Sequence, residues 1–255
     1  MNLEPAKRAI SRIFSFTARA LGIAPSRAPR AKTSPQRTAP PKPISTWVKS
    51  VAQRSGNTIP VDPDFVGIII FGTTATPILS LCNVDNPRAI AAINNVQANQ
   101  GCTELGVGMQ AAFQMLSGES LALIKRLVII SDGEATKTTL IDQITGRCAA
   151  RHIKIDCISL GEHAGGALLK SLSHKTKGRF FTAKSLKELK KAVLRGVSKG
   201  GRHRFRGATC LLIDASASMN ASMPADRSKT RIGACREACR DFIQTQIRLF
   251  GHKVR

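Results

Sequence analysis

The chain has 255 residues, 42% of them hydrophobic, and its 39 Lys and Arg against 16 Asp and Glu leave a formal charge of +23. That length and apolar content suit one α/β domain of about 200 residues with a tail, and exclude a wholly disordered chain. The longest apolar run, Phe65 to Phe71, falls far short of the roughly 20 residues of a membrane-spanning helix, so no integral membrane protein is expected.

Residues 5–22 set Ile10, Ile13, Phe14, Thr17 and Leu21 on one side of a helical wheel and Lys7, Arg8, Arg12 and Arg19 on the other, so residues 1–23 read as a basic amphipathic helix or tail. Such a segment lies on an anionic membrane, acts as an organelle presequence, docks on a partner, or stays disordered until it touches something. Arg12 and Arg19 interrupt the apolar stretch that a secretory signal needs. Residues 24–44, with the run PSRAPRAKTSPQRTAPPKP, offer too little apolar surface to pack and read as a linker. A domain is expected over 45–255, opening with a short helical pattern at Ser45–Arg54.

Strand and helix patterns then alternate: strands at 65–72 and 76–82, a helix at 105–117, a strand at 126–132, a helix at 137–150 and a strand at 153–160. Helices at 164–176 and 185–197 flank a short strand at 179–182, and a strand at 208–214 and a helix at 229–250 follow. This alternation predicts an α/β fold, a doubly wound, mostly parallel sheet with helices on both faces. Ligands of such sheets sit at the carboxyl ends of central strands, where the strand order reverses.

The segment ATCLLIDASASM (208–219) is apolar up to Asp214 and then turns polar, which puts Asp214, Ser216 and Ser218 on the loop at a strand's carboxyl end. RLVIISDGEAT (126–136) delivers Asp132 in the same way, and GCTELGVGM (101–109) opens a helix with Thr103. Hydroxyls with one or two carboxylates suit a hard cation such as Mg²⁺ or Mn²⁺, which takes oxygen donors in near-octahedral array and keeps some water. Each piece alone also has a bland reading: the hydroxyls as helix caps, the acids as first-turn residues favoured by a helix dipole.

Together the pieces resemble the von Willebrand factor A domain, whose metal-ion-dependent adhesion site reads DxSxS, then Thr, then Asp. The resemblance covers about 45–250, with FVGIIIFGTTATPILSL similar to the family's second and third strands and IKIDCISLG to its next-to-last one. It implies that Ser216, Ser218 and Thr103 contact the ion through hydroxyls while Asp214 and Asp132 act mainly through bound waters. The ion would then keep an open position that a Glu or Asp of a partner protein completes. Ala217 and Cys102 depart from the pattern, standing where the family usually or often has Gly. Intracellular members often work beside ring-shaped ATPases, which offers one class of partner.

The order of the pieces is unusual, because the DxSxS strand comes first in the family and last here, after the basic stretch SKGGRHRFRG (198–207). A circular permutation would slip strand 208–214 between 65–72 and 126–132, with helix 229–250 covering it. A tandem array cut at both ends would leave unpaired edges and a second unit too small to fold. A domain swap would have each chain's last strand and helix complete a neighbour, as a swapped oligomer. Ile232, Cys235, Cys239, Phe242, Ile243 and Phe250 form an apolar stripe that must be covered, which favours completion of a sheet.

The function expected is a non-catalytic, metal-dependent protein-binding module. A phosphohydrolase of this fold would want a second Asp two residues after its nucleophile, and position 216 is Ser. There is no GxxxxGK[ST] phosphate loop, and the five histidines are scattered. The alternative is a basic protein that binds nucleic acid or an anionic membrane surface with its metal site idle, since a polycation attracts either without reading sequence. Lys199, Arg202, Arg204 and Arg206, with Lys184–Lys191, are the candidate anion-binding patch, although 4% aromatic content and no Tyr argue against base stacking. The seven cysteines, without a CxxC pair, read as reduced core residues and point to a reducing, cytoplasmic setting.

Overall fold

The computed structural model describes residues 64–120, 122, 124–133, 138–161, 165–198 and 207–250. In chain order these form β1 (Phe65–Phe71), β2 (Ala75–Asn83), α1 (Pro87–Asn94), α2 (Leu105–Gly118), β3 (Ile124–Ser131), α3 (Thr138–Ala150) and β4 (Lys154–Leu160). They continue with α4 (Gly165–Lys175), β5 (Phe180–Ala183), α5 (Leu186–Ser198), β6 (Gly207–Asp214), β7 (Ser222–Met223), β8 (Asp226–Thr230) and α6 (Arg231–Phe250). The expected tail 1–23, the linker 24–44, the opening of the 45–255 domain, and Lys199, Arg202, Arg204 and Arg206 lie outside the described residues.

Six strands make one sheet in the order β2-β1-β6-β3-β4-β5, and β7 and β8 form a separate hairpin. Only β2 runs antiparallel in the sheet, paired with β1; every other neighbouring pair is parallel. The strand expected at 208–214 therefore stands between β1 and β3 of its own chain. Its alternation explains why the middle of the sheet suits it. Leu211 and Ile213 face one core with α1, α5 and α6, while Cys210 and Leu212 face the other with α2, α3 and α4. A strand buried on both faces reads as a continuous apolar run, as ATCLLI does.

Helix α6 packs against α1 and α5 on the first face. Ile232, Cys235, Cys239, Phe242 and Ile243 of its stripe are buried, and the side chain of Phe250 lies outside the described residues. The elements differ from the sequence reading in two places. Helix α1 was not anticipated; Asn86 caps it by accepting a hydrogen bond from the Arg88 amide, Pro87 preorganises its first turn, and Ala89 and Ile93 bury its inner face. The expected helix 229–250 begins instead at Arg231, because residues 226–230 pair with Ser222–Met223 as the β7–β8 hairpin. Thr230 then caps α6, its Oγ1 accepting from the Gly233 amide at 3.1 Å.

Candidate metal centre

The parallel register sets Phe71 beside Asp214 and Ile213 beside Ile130, so the carboxyl ends of β1, β6 and β3 are level. The loop after β6 continues this stitching as the Ala215 amide donates to Phe71 O at 2.7 Å. Asp214 is fully buried, and both its oxygens have donors: Ser131 Oγ reaches Oδ2 at 2.6 Å and the Ser216 amide reaches Oδ1 at 2.9 Å. Burial pushes its pKa above the ordinary carboxylate value, while the bonds from Ser131 and Ser216 pull it back. From there a chain of side chains runs outward. Ser216 Oγ and Ser218 Oγ are 3.0 Å apart, and Ser218 Oγ donates to Asp132 Oδ1 at 2.8 Å. Asp132, immediately after β3, is also buried, and its Oδ2 is ion-paired with Arg231 Nη1.

Thr103 comes from the loop before α2, which backbone bonds tie to both neighbours. The Gln100 amide donates to Ala215 O at 2.9 Å, the Ala217 amide to Gly101 O at 3.1 Å, and the Glu104 amide to Gly72 O at 3.0 Å. Gly101 takes φ +68°, a left-handed conformation that glycine adopts at little cost. The Thr103 side chain ends against Gly133, where an added Cβ would stand 2.9 Å from Thr103 Oγ1. All five residues predicted from the sequence thus gather at one end of the sheet. Ala217 and Cys102 are exposed and neither has positive φ, so replacing glycine at these two positions imposes no backbone strain.

Two neighbours escaped the sequence reading. Ser131 falls inside the expected strand 126–132 with no role of its own, yet its hydroxyl is what holds Asp214. Arg231 was placed within a helix; as the first residue of α6 it is a cation where the helix dipole favours an anion, and that misfit was the available signal. Among the described residues no group of three or more His, Cys, Asp or Glu could hold a metal. The site instead offers two carboxylates and three hydroxyls, a hard oxygen set of the kind Mg²⁺ takes when it retains waters. A guanidinium already stands against one of those carboxylates, so the pocket accommodates positive charge. The seven cysteines are free and five of them are buried. Burial pushes the thiols of Cys157 and Cys239 up to about 12 and that of Cys148 to about 11.

A model of the family described as von Willebrand factor type A domain matches residues 44–195. The chain belongs to that family. Von Willebrand factor A domains are generally protein-interaction modules, and many depend on a divalent metal. The match ends before β6, so the segment carrying Asp214, Ser216 and Ser218 lies beyond it. No curated protein matches the chain. One solved structure, an uncharacterized membrane spanning protein from Vibrio fischeri, aligns at 18% identity over 58% of this chain and 79% of that one, with a TM-score of 0.24. Among the described residues no helix is long and apolar enough to cross a membrane.

Proposed function

We propose that this domain is a circularly permuted member of its family that binds an acidic side chain of a partner protein through a divalent ion. Ser216, Ser218 and Thr103 would hold the ion through their hydroxyls, and Asp214 and Asp132 would orient its waters. When bound, the ion supplies a positive, incompletely coordinated centre for an incoming carboxylate. The chain's own part is to hold the donors in place: Ser131 and the Ser216 amide fix Asp214, and the Gly101 loop fixes Thr103. Binding rather than catalysis is favoured by Ser216, which stands two residues after Asp214, where a phosphohydrolase of this fold would want a second Asp.

One observation carries the reading. Ser218 and Asp132, 86 residues apart, are hydrogen-bonded at 2.8 Å, as two parts of one site must be. The permuted order is supported by the family match ending before β6 while β6 lies between β1 and β3. A ring-shaped ATPase presenting an exposed Glu or Asp is the partner class in keeping with the family.

The test uses an immobilised Glu-containing peptide and Mg²⁺. Retention should survive moderate salt and disappear with EDTA or Asp132→Ala. Retention that ignores both but collapses with salt would identify a basic surface binding anions nonspecifically, a reading that the charge of +23 favours. Phosphatase turnover dependent on Asp214 would replace binding with catalysis.

A further inference from the structure

Arg231 breaks a local rule in a place where the break has a counterpart. It is the first residue of α6, whose first turn contains no acidic residue, so its charge faces the positive end of the helix dipole. What offsets this is Asp132 across the site, whose side chain is fully buried and whose Oδ2 pairs with Arg231 Nη1. The guanidinium is nevertheless held incompletely: its Nε is buried and has no hydrogen-bond partner among the described residues. The backbone is pinned, with the Arg231 amide donating to Ala221 O at 2.8 Å, while the side chain is 13% exposed and has a way out to solvent.

We infer that Arg231 is a built-in competitor for the divalent ion, occupying Asp132 until the ion displaces it. This rests on the metal-binding reading above and adds its regulation. Asp132 has two oxygens, and Ser218 already donates to Oδ1. The guanidinium pairs with the other oxygen, Oδ2, so an ion-bound water approaching that oxygen competes with Arg231 for it. A fixed positive charge beside a divalent ion also raises the cost of loading. Moving outward relieves both that repulsion and the unpaired Nε. Ion loading is thereby coupled to the release of a positive side chain at the rim, where an incoming carboxylate would meet it. The domain therefore loads only when the ion is abundant enough to outcompete its own arginine, and the exposed guanidinium then becomes a second contact for an acidic partner.

Mn²⁺ alone is the probe, titrated into the full chain and followed by electron paramagnetic resonance, with Arg231→Met removing the charge and Arg231→Lys keeping it. Arg231→Met should bind Mn²⁺ about tenfold more tightly, equivalent to about 1.4 kcal/mol, and Arg231→Lys should stay close to wild type. In EDTA, Arg231→Met should melt below wild type, and saturating Mn²⁺ should close that gap. Equal or weaker Mn²⁺ binding by a folded Arg231→Met, with wild type binding, would overturn the competition while leaving the metal site standing. If Arg231→Met fails to fold, Arg231→Gln answers the same question. No Mn²⁺ binding by wild type or any of these variants would remove the metal reading itself, and binding by the uncharged variants alone would be the competition in its strongest form.

Discussion

Asp214 is a carboxyl group with no exposed surface, so it depends on the two donors that reach it, Ser131 Oγ and the Ser216 amide. A buried acceptor deprived of its partner loses more than an average hydrogen bond contributes, because water cannot replace the donor. Ser131→Ala is expected to destabilise the domain by about 1–3 kcal/mol in urea unfolding. It should also weaken Mn²⁺ binding, although Ser131 is not among the proposed ligands. A change below about 0.5 kcal/mol, the ordinary range for surface substitutions, would mean that Asp214 does not rely on this hydroxyl. Ser218 differs in kind. It is exposed and bonded to Asp132, so it is free to exchange one oxygen partner for another.

At the level of elements, α6 is held to its neighbours by charge as well as by its apolar stripe. Lys190 of α5 reaches Glu237 at 2.7 Å and Asp241 at 2.9 Å, and Lys229 of β8 reaches the other oxygen of Glu237. The two lysines, Lys190 foremost, hold the Glu237 carboxyl at about 2, well below its ordinary value. An unfolded glutamate titrates near 4.3. Between these values the unfolded state binds more protons, so the contribution of the network is complete above about pH 4.3 and is lost as pH falls toward 2. The melting temperature of wild type should therefore drop more steeply between pH 5 and 2 than that of Glu237→Gln. Parallel curves would show that the network ties α6 down too weakly to matter.

On the scale of the whole molecule, β6 is the central strand, and both cores draw on it through Cys210, Leu211, Leu212 and Ile213. A chain ending before Gly207 would leave β1 and β3 with facing unpaired edges and a trench in each core. It is expected to aggregate or to lack cooperative unfolding by circular dichroism. The intact chain, with β6 in its own sheet, should stay folded and monomeric on dilution in analytical ultracentrifugation. Concentration-dependent loss of structure would instead mark a swapped assembly.

Much of this was legible in local patterns. Short apolar runs marked the six sheet strands and helical periodicity five of the six helices within a few residues, and the change from apolar to polar at Asp214 and around Asp132 marked the strand ends where a site forms. The short α1 and the polar β7–β8 hairpin were missed because neither has a long enough apolar repeat, although Asn86–Pro87 carried a capping signal. The sequence by itself determined which residues end strands and which faces must be buried, because those properties depend on neighbours one to four positions away. Only the tertiary structure decided that β6 enters between β1 and β3, and that Arg231 meets Asp132 across 99 positions of chain. Strand pairing and ion pairing at that range are set by which faces close together in space, which local periodicity does not specify.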